Sequence, residues 1–179
     1  MDATLALPYR GTDHMTDAEL TLDLTVPFED FYRREYPSLV AVATAMLGSF
    51  ESAEDLTQDT MVKSFVRWDR VRRLERPGGW AHRVLLHACT SWWRRRRTEA
   101  AFLARQRRVE PAVAGPSPEA MAFWGAVRQL PERPRRVMVL YYAGDRSVAE
   151  VASILDVPEG TVRSDLTRAR AALATQLGA

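Results

Sequence analysis

The sequence has little of what disulfides, metal sites and membrane spans require. Among 179 residues there is one cysteine, Cys89, and there are three histidines. A single cysteine excludes an internal disulfide, and the histidines show no metal-ligand spacing. No apolar run approaches the roughly 18 residues of a membrane helix, and no basic segment precedes an apolar one at the N-terminus. We therefore expect a soluble, cytoplasmic chain with no direct membrane insertion and no cofactor.

Charge is distributed unevenly along the chain, although the net charge is only +2. Residues 1–62 carry 12 acids and 3 bases, whereas residues 67–108 carry 13 bases and 3 acids. Residues 109–179 carry 8 of each. Such asymmetry indicates one surface for a polyanion and another for a basic partner. The alternative is that the two blocks neutralise each other within one fold.

The periodic segments have a helical spacing throughout, and the alternation typical of strands is missing. The sequence predicts an all-α chain of two small helical domains joined by a flexible linker, with a helix-turn-helix in the second domain. A run rich in Pro, Ala, Gly and Ser marks the linker. The predicted divisions are an extension expected to be disordered (1–26), a first domain (27–104), the linker (105–118) and a second domain (119–179).

Glycine, proline and capping residues predict the helix ends of the first domain. The first helix is expected to end at Gly48, and the second to start near Ser52 with an acidic capping arrangement. The apolar stripe of the second helix is predicted to include Phe65. Pro77-Gly78-Gly79 is a strong break, after which a third helix is expected to start near Trp80.

The stretch Arg146–Leu173 predicts the helix-turn-helix. Ser147 stands three residues before Glu150, the spacing of a capping box. Asp156 interrupts the apolar periodicity, and Pro158 fits the first turn of a new helix. Two short helices around a tight turn, the second with a basic outer face, describe a helix-turn-helix. The alternative is an ordinary helical hairpin with a solvated basic face.

Two further faces of the first domain carry charge at helical spacing. The outer face of the second helix is acidic, which by itself is typical of a solvated surface. The third helix aligns basic and polar residues on one face: Arg83, His87, Thr90, Arg94 and Arg97. Arginine beside aromatic rings suits nucleic acid, because bases stack on rings while arginine contacts phosphate. Trp80 and Trp92 equally fit a hydrophobic core.

In their order and spacing, these segments resemble an extracytoplasmic-function (group IV) sigma factor of bacterial RNA polymerase, a branch of the sigma-70 family. The resemblance covers Phe28 to Leu177. It rests on Ala53–Thr60, Trp80–Arg97, Leu130–Arg133, and above all on Pro158–Ser164 followed by Arg168–Arg170. It implies a chain that directs core polymerase to specific promoters and assists strand opening, without being an enzyme. The implied partners are core polymerase (the β′ clamp helices and the β subunit), promoter DNA and an anti-sigma factor.

The resemblance also implies three sets of site residues. The polymerase-binding positions are Asp55, Gln58, Asp59 and Lys63. The positions that read and open the minus-ten element are Arg83, His87, Trp92 and Arg94. The positions that face the major groove at the minus-thirty-five element are Arg163, Ser164, Thr167 and Arg168.

Three residues depart from the family pattern. His87 stands where the family usually has Asn, and Ser91 occupies a position that is often acidic. Asp165 falls where a basic residue is common. An acid there would weaken a phosphate contact or favour a cytosine edge.

Two other classes of protein are alternatives to this interpretation. A helix-turn-helix transcriptional regulator would bind duplex DNA without acting as a sigma subunit, but it would not require the acidic helix followed by the Trp/Arg helix. A nucleic-acid-modifying enzyme would require a metal set, a phosphate-binding glycine loop or an acid/base pair with a substrate pocket. The sequence offers none of these.

Overall fold

The computed structural model describes residues 27–103 and 117–178, and every regular element within these ranges is helical. The prediction of an all-α fold is confirmed. The elements are α1 (Phe28–Leu47), α2 (Phe50–Val66), α3 (Trp68–Val71), α4 (Pro77–Leu103), α5 (Pro118–Gln129), α6 (Glu132–Met138), a π-helical segment (Val139–Ala143), α7 (Val148–Leu155) and α8 (Glu159–Leu177). The predicted N-terminal extension lies outside the described residues, and so does most of the predicted linker.

Both ends of α1 follow from local sequence. Acidic residues in its first turn favour the positive end of the helix dipole. The helix continues without interruption through Pro37. Its end at Gly48 is as predicted. Gly48 adopts the left-handed conformation, with φ 74°, and its N–H donates to the carbonyl of Thr44 at 2.8 Å. A side chain there would be strained and would approach the guanidinium of Arg128.

Helix α2 differs from the prediction in its cap and in its buried face. Ser49, not Ser52, is the N-cap, and its hydroxyl accepts from the Ser52 N–H at 3.3 Å. Phe65 is 60% exposed rather than buried, with its ring edge against Phe28. The helix buries mainly small and hydroxyl-bearing residues instead: Ala53, Thr57, Thr60, Met61 and Ser64. The three hydroxyls donate to carbonyls one turn back, so their burial leaves no unpaired polar group.

Helix α4 begins three residues before the predicted start. Pro77 fits a first helical turn because it has no N–H to leave unpaired, and the two glycines continue that turn. An added Cβ at Gly78 would lie 2.6 Å from the carboxylate of Glu35. Gly78 therefore allows the close approach of α1 to the start of α4.

The second half of the chain confirms the predicted helix-turn-helix. Ser147 and Glu150 form the capping box: the Glu150 N–H donates to the Ser147 hydroxyl, and the Ser147 N–H donates to the Glu150 carboxylate. Asp156 makes the turn at φ 55°, and α8 starts directly after Pro158. Ser117 is the N-cap of helix α5, and its hydroxyl accepts from the Ala120 N–H. None of the described helices contains an 18-residue window apolar enough to cross a membrane.

The two halves of the chain pack against each other. One hydrophobic cluster includes Val42 and Met46 of α1 together with Val139 and Leu140 of the π-helical segment. Gly144 ends that segment, and an added Cβ there would lie 2.9 Å from a methyl group of Val42. The first and second halves therefore share buried apolar surface, and the predicted division into two domains stays a prediction.

Candidate nucleic-acid interface

The outer face of α8 carries four exposed polar side chains near its N-terminal end. Val162, Leu166 and Ala169 are buried and fix the opposite face. The structure brings together the four residues predicted for the minus-thirty-five element and leaves all of them exposed: Arg163, Ser164, Thr167 and Arg168. A recognition helix uses this end to contact base edges.

Local contacts already orient part of this face. The guanidinium of Arg163 lies 2.6 Å from a carboxylate oxygen of Glu159, one turn earlier. The Thr167 hydroxyl donates to the carbonyl of Arg163 at 3.0 Å. Two residues beyond Arg168, the guanidinium of Arg170 donates to the Tyr142 hydroxyl and lies over its ring. Arg170 thus connects α8 to the π-helical segment.

Asp165 lies on the inner side of α8, opposite to the expectation that it could contact DNA. Its side chain is 2% exposed and accepts two hydrogen bonds from the guanidinium of Arg133. Val162, Asp165 and Ala169 follow one another at intervals of three and four, so Asp165 occupies a position of the buried stripe. Asp165 is therefore not placed to contact a cytosine edge, and that expectation is wrong.

Helix α4 presents a second polar line. Arg83, His87, Thr90 and Arg94 are separated by four, three and four residues, which places them on one side of the helix. His87 and Arg94 are exposed. Arg83 is exposed as well and also contacts the helix-turn-helix: its Nε and Nη2 donate to the carbonyls of Ile154 and Ser153 at 3.0 and 2.8 Å.

Trp92 does not lie on this line, because residues two apart on a helix face different sides. It is half-buried, perpendicular to the ring of Trp93, with the guanidinium of Arg96 5.1 Å from its ring centroid. Trp93 fixes the helix, since its indole N–H donates to the carbonyl of Met46 at 3.0 Å. The structure therefore groups three of the four predicted minus-ten residues and separates the fourth.

The outer face of α2 is acidic at one end and apolar at the other. All four residues predicted to bind polymerase are exposed there: Asp55, Gln58, Asp59 and Lys63. Val62 and Val66 continue the line of Asp55 and Asp59, and they are 60% and 75% exposed. Sequence reasoning missed these valines. Their exposure could have been predicted, because neither valine belongs to the predicted buried stripe of the second helix.

A buried ion pair between the two halves was also not predicted from the sequence. Glu35 of α1 is 4% exposed, and its carboxylate lies 2.6 Å from the guanidinium of Arg146, just before α7. Arg34 contacts the other oxygen of Glu35 at 3.0 Å. The signal in the sequence was an acid at a core position, four residues after Phe31 and four before Leu39.

His82 lies in the same region and is fully buried. Its Nδ1 is 3.0 Å from the carbonyl of Gly78, and its Nε2 is 3.2 Å from the hydroxyl of Ser38. Burial lowers the pKa of His82 to about 4, and the neighbouring Arg146 contributes in the same direction. Because Nδ1 faces a carbonyl, the neutral ring carries its proton on that atom.

These observations define an all-helical protein with a helix-turn-helix in its second half and a polar, partly basic helix face in its first half. Two family models match the same halves. "Sigma-70 region 2" matches residues 31–99, and "Sigma-70, region 4" matches residues 120–173.

Curated relatives match nearly the whole chain. The "ECF RNA polymerase sigma factor SigM" of Mycobacterium tuberculosis is 31% identical over 97% of this chain and 90% of its own length. The "RNA polymerase sigma-E factor" of Streptomyces avermitilis is 29% identical over 84% of each chain. The chain therefore belongs to the extracytoplasmic-function RNA polymerase sigma factors, within the sigma-70 family.

A solved structure resembles the fold of this chain across both halves. It is the sigma factor RpoE of Bartonella quintana in complex with the anti-sigma factor NepR. The TM-score is 0.67 at 26% identity, and the match covers 84% of this chain and 96% of that one.

Proposed function

We propose that this sigma factor contacts the minus-thirty-five element of its promoters through Arg163, Ser164, Thr167 and Arg168. The observation that carries the proposal is the exposure of all four side chains on one face at the N-terminal end of α8, the second helix of the helix-turn-helix. That end of a recognition helix enters the major groove, where side chains distinguish the four base pairs.

The minus-ten element is assigned to the polar line of α4. His87 and Arg94 are exposed, and Arg83 continues their line. Guanidinium groups attract the phosphates of a separated strand, and strand opening requires unpaired bases to be held outside the stack. Trp92 stays part of this proposal as the neighbouring aromatic residue, although it lies on another side of the helix. His87 then influences base preference in the minus-ten element.

Core polymerase is proposed to bind the outer face of α2. Asp55 and Asp59 present negative charge, Gln58 and Lys63 stand beside them, and all four are exposed. Under the proposal this face contacts the β′ clamp helices, and further contacts involve the β subunit. The chain acts by binding alone, in the cytoplasm with the polymerase, and RNA synthesis is the work of the core enzyme.

An anti-sigma factor is a further proposed partner. The support is the resemblance to a sigma factor that was solved in complex with the anti-sigma factor NepR. This resemblance extends over more of the chain than either half alone. Under this proposal the anti-sigma factor binds the arrangement in which the two halves are packed together.

The experiment is transcription in vitro with bacterial core polymerase, the purified chain and a promoter identified by mapping start sites after overexpression. We expect initiation from that promoter only when both proteins are present. Reversing Asp55 and Asp59 to Lys should reduce initiation and co-purification with the core enzyme. Glu75→Lys is the matched control, because Glu75 is 89% exposed and lies away from α2.

Two results would contradict the proposal. The first is unchanged co-purification of the Asp55/Asp59 double variant with core polymerase. The second is tight binding to duplex promoter DNA without any effect on initiation, which would indicate a conventional helix-turn-helix regulator.

A further inference from the structure

An exposed row of three arginines follows α2. Arg67, Arg70 and Arg73 are spaced three residues apart, and all three are exposed. The Arg70 N–H donates to the carbonyl of Arg67 at 2.9 Å, and the Arg73 N–H donates to the carbonyl of Arg70 at 3.3 Å. Where hydrogen bonds join residues three apart, the side chains of those residues lie one above the other. The three guanidinium groups, called the arginine row below, therefore extend from one side of this segment.

The charge of the arginine row is not neutralised within the described part of the chain. The neighbouring Arg72 contacts the carboxylate of Asp69 at 2.9 Å. No ion pair joins a member of the row to a carboxylate in residues 27–103 or 117–178. None of the three arginines belongs to the residues proposed above for polymerase or for either promoter element. The row is thus a positively charged surface that fits an acidic partner.

Helix α1 begins next to the arginine row. The ring centroid of Phe28, the first residue of α1, lies 5.4 Å from that of Trp68. Trp68 is the first residue of α3 and follows Arg67 directly. The chain that precedes Phe28 therefore joins α1 beside the row. An extended chain spans up to about 3.3 Å per residue, so a dozen residues are long enough to pass along the whole row.

The residues that precede α1 have the composition that this surface requires. Residues 13–26 contain four acids and neither lysine nor arginine. Three leucines and one valine stand among the last seven of them. Apolar surface is exposed beside the row as well, since Phe65 is 60% exposed and its ring lies 5.0 Å from that of Phe28. The segment thus complements the surface both in charge and in its apolar residues.

We propose that residues 13–26 bind the arginine row, with their acids against the guanidinium groups and their leucines against Phe65. Because the segment and the row belong to one chain, their effective concentration is high, and weak contacts are sufficient. Exposed ion pairs are individually weak and are screened by salt, so the bound segment remains displaceable. While bound, it covers three arginines that would otherwise contact the phosphates of any nucleic acid. The segment thereby reduces binding of the chain to DNA that carries no promoter.

A spin label in the full-length chain measures the contact. Thr16→Cys supplies the labelling site within the segment. The native Cys89 is buried, which raises the pKa of its thiol to about 12 and directs a nitroxide reagent to the introduced cysteine. The nitroxide broadens the amide NMR signals of residues that lie close to it. We expect broadening of residues 67–73, and we expect high salt to reduce it.

Charge reversal distinguishes binding from simple proximity along the chain. Arg70→Glu places a negative charge at the centre of the row and should reduce the broadening by at least about twofold. Arg95→Glu is the matched control, because it makes the same charge change at another exposed arginine, in α4, and should leave the broadening unchanged.

A charge swap tests the pairing directly. Changing Asp17, Glu19 and Asp23 to Lys should also reduce the broadening, because the segment then repels the arginine row. Combining these changes with reversal of all three arginines to Glu should restore it, since opposite charges face each other again. The neutral variants Asp17→Asn, Glu19→Gln and Asp23→Asn, combined in one chain, should bind a fluorescent non-promoter duplex at least about threefold more tightly than the parent does.

Three results would overturn the proposal. The first is equal broadening in the parent and in Arg70→Glu, and the second is a charge swap that does not restore the broadening. The third is weaker binding of Arg70→Glu to the duplex together with unchanged binding of the neutral variant, which would assign the arginine row to nucleic acid instead of the segment. None of these results bears on initiation with core polymerase, so the proposed function is tested separately.

Discussion

Arg133 of α6 and Asp165 of α8 form a bidentate ion pair that holds α8 against α6. The distances are 2.7 Å from Nε to Oδ2 and 3.2 Å from Nη2 to Oδ1. The hydrogen bond with Asp165 raises the pKa of the Arg133 guanidinium. Because Asp165 follows Ser164 directly, this pair helps to fix the orientation of the α8 face that carries the neighbouring exposed side chains.

Asp165→Asn should weaken the domain without changing which bases are read. The amide keeps the shape of the carboxylate but loses its charge, so we expect unfolding in urea to cost about 1–3 kcal/mol less. Binding to promoter variants with different base pairs in the minus-thirty-five element should keep the parent's order of preference. A loss of preference confined to one base pair would show that Asp165 reads that base.

Most helix positions and the exposed outer face of α8 could be predicted because they depend on local spacing. The capping box at Ser147, the turn at Asp156 and the buried stripe of α8 all follow from residues within a few positions of one another. The inward direction of Asp165 could not be predicted in the same way, since its partner Arg133 lies on another helix. The family pattern favoured an outward direction there, but the buried stripe Val162, Asp165 and Ala169 has the spacing that places Asp165 inside.

Contacts between the two halves could not be predicted from local sequence patterns for the same reason. Glu35 and Arg146 are separated by 111 positions, and only the packing of α1 against the second half brings them together. The N-cap of α2 shows a smaller limit of prediction from the sequence. Ser49 and Ser52 both fit a capping position, and the extended backbone of Ser49 after the left-handed Gly48 decides between them.

Arg168→Ala should remove a base-specific contact in the minus-thirty-five element. If the guanidinium binds the edge of one guanine, the loss should be on the order of 1–3 kcal/mol and should concern one base pair. Other substitutions at that pair should then have little further effect. The measurement is equilibrium binding of holoenzyme to a set of promoter variants, at two salt concentrations.

Arg170→Ala is the matched control for Arg168, because it removes the same charge from the same helix while Arg170 is bound to Tyr142. We expect it to affect all promoter variants equally or not at all. Uniform weakening by Arg168→Ala, with a smaller salt dependence, would indicate a phosphate contact instead.

The exposed valines of α2 should contribute to polymerase binding. Val62 and Val66 extend the line of Asp55 and Asp59 and leave apolar surface in water. Val62→Ser and Val66→Ser should lower the affinity for core polymerase, with little change in the free energy of unfolding. Leu74→Ser is the control, since Leu74 is another exposed apolar residue, 39% exposed, outside α2. Equal effects of all three changes on polymerase binding would contradict a specific role for the α2 face.

His82 should make the stability of the fold depend on pH in the mildly acidic range. Its pKa is lowered from the ordinary 6.5 to about 4 by burial, so the unfolded chain binds a proton at a higher pH than the folded chain does. The contribution of the neutral His82 ring to the free energy of unfolding is therefore complete above pH 6.5 and declines as the pH falls towards 4. The expected loss is about 2 kcal/mol between about pH 7 and about pH 5. Urea unfolding at these two pH values measures this loss of stability.

His82→Gln should remove this part of the pH dependence, whereas His87→Gln, which changes an exposed histidine, should retain it. An identical pH dependence in the parent and in His82→Gln would show that the ring is not held neutral in the fold.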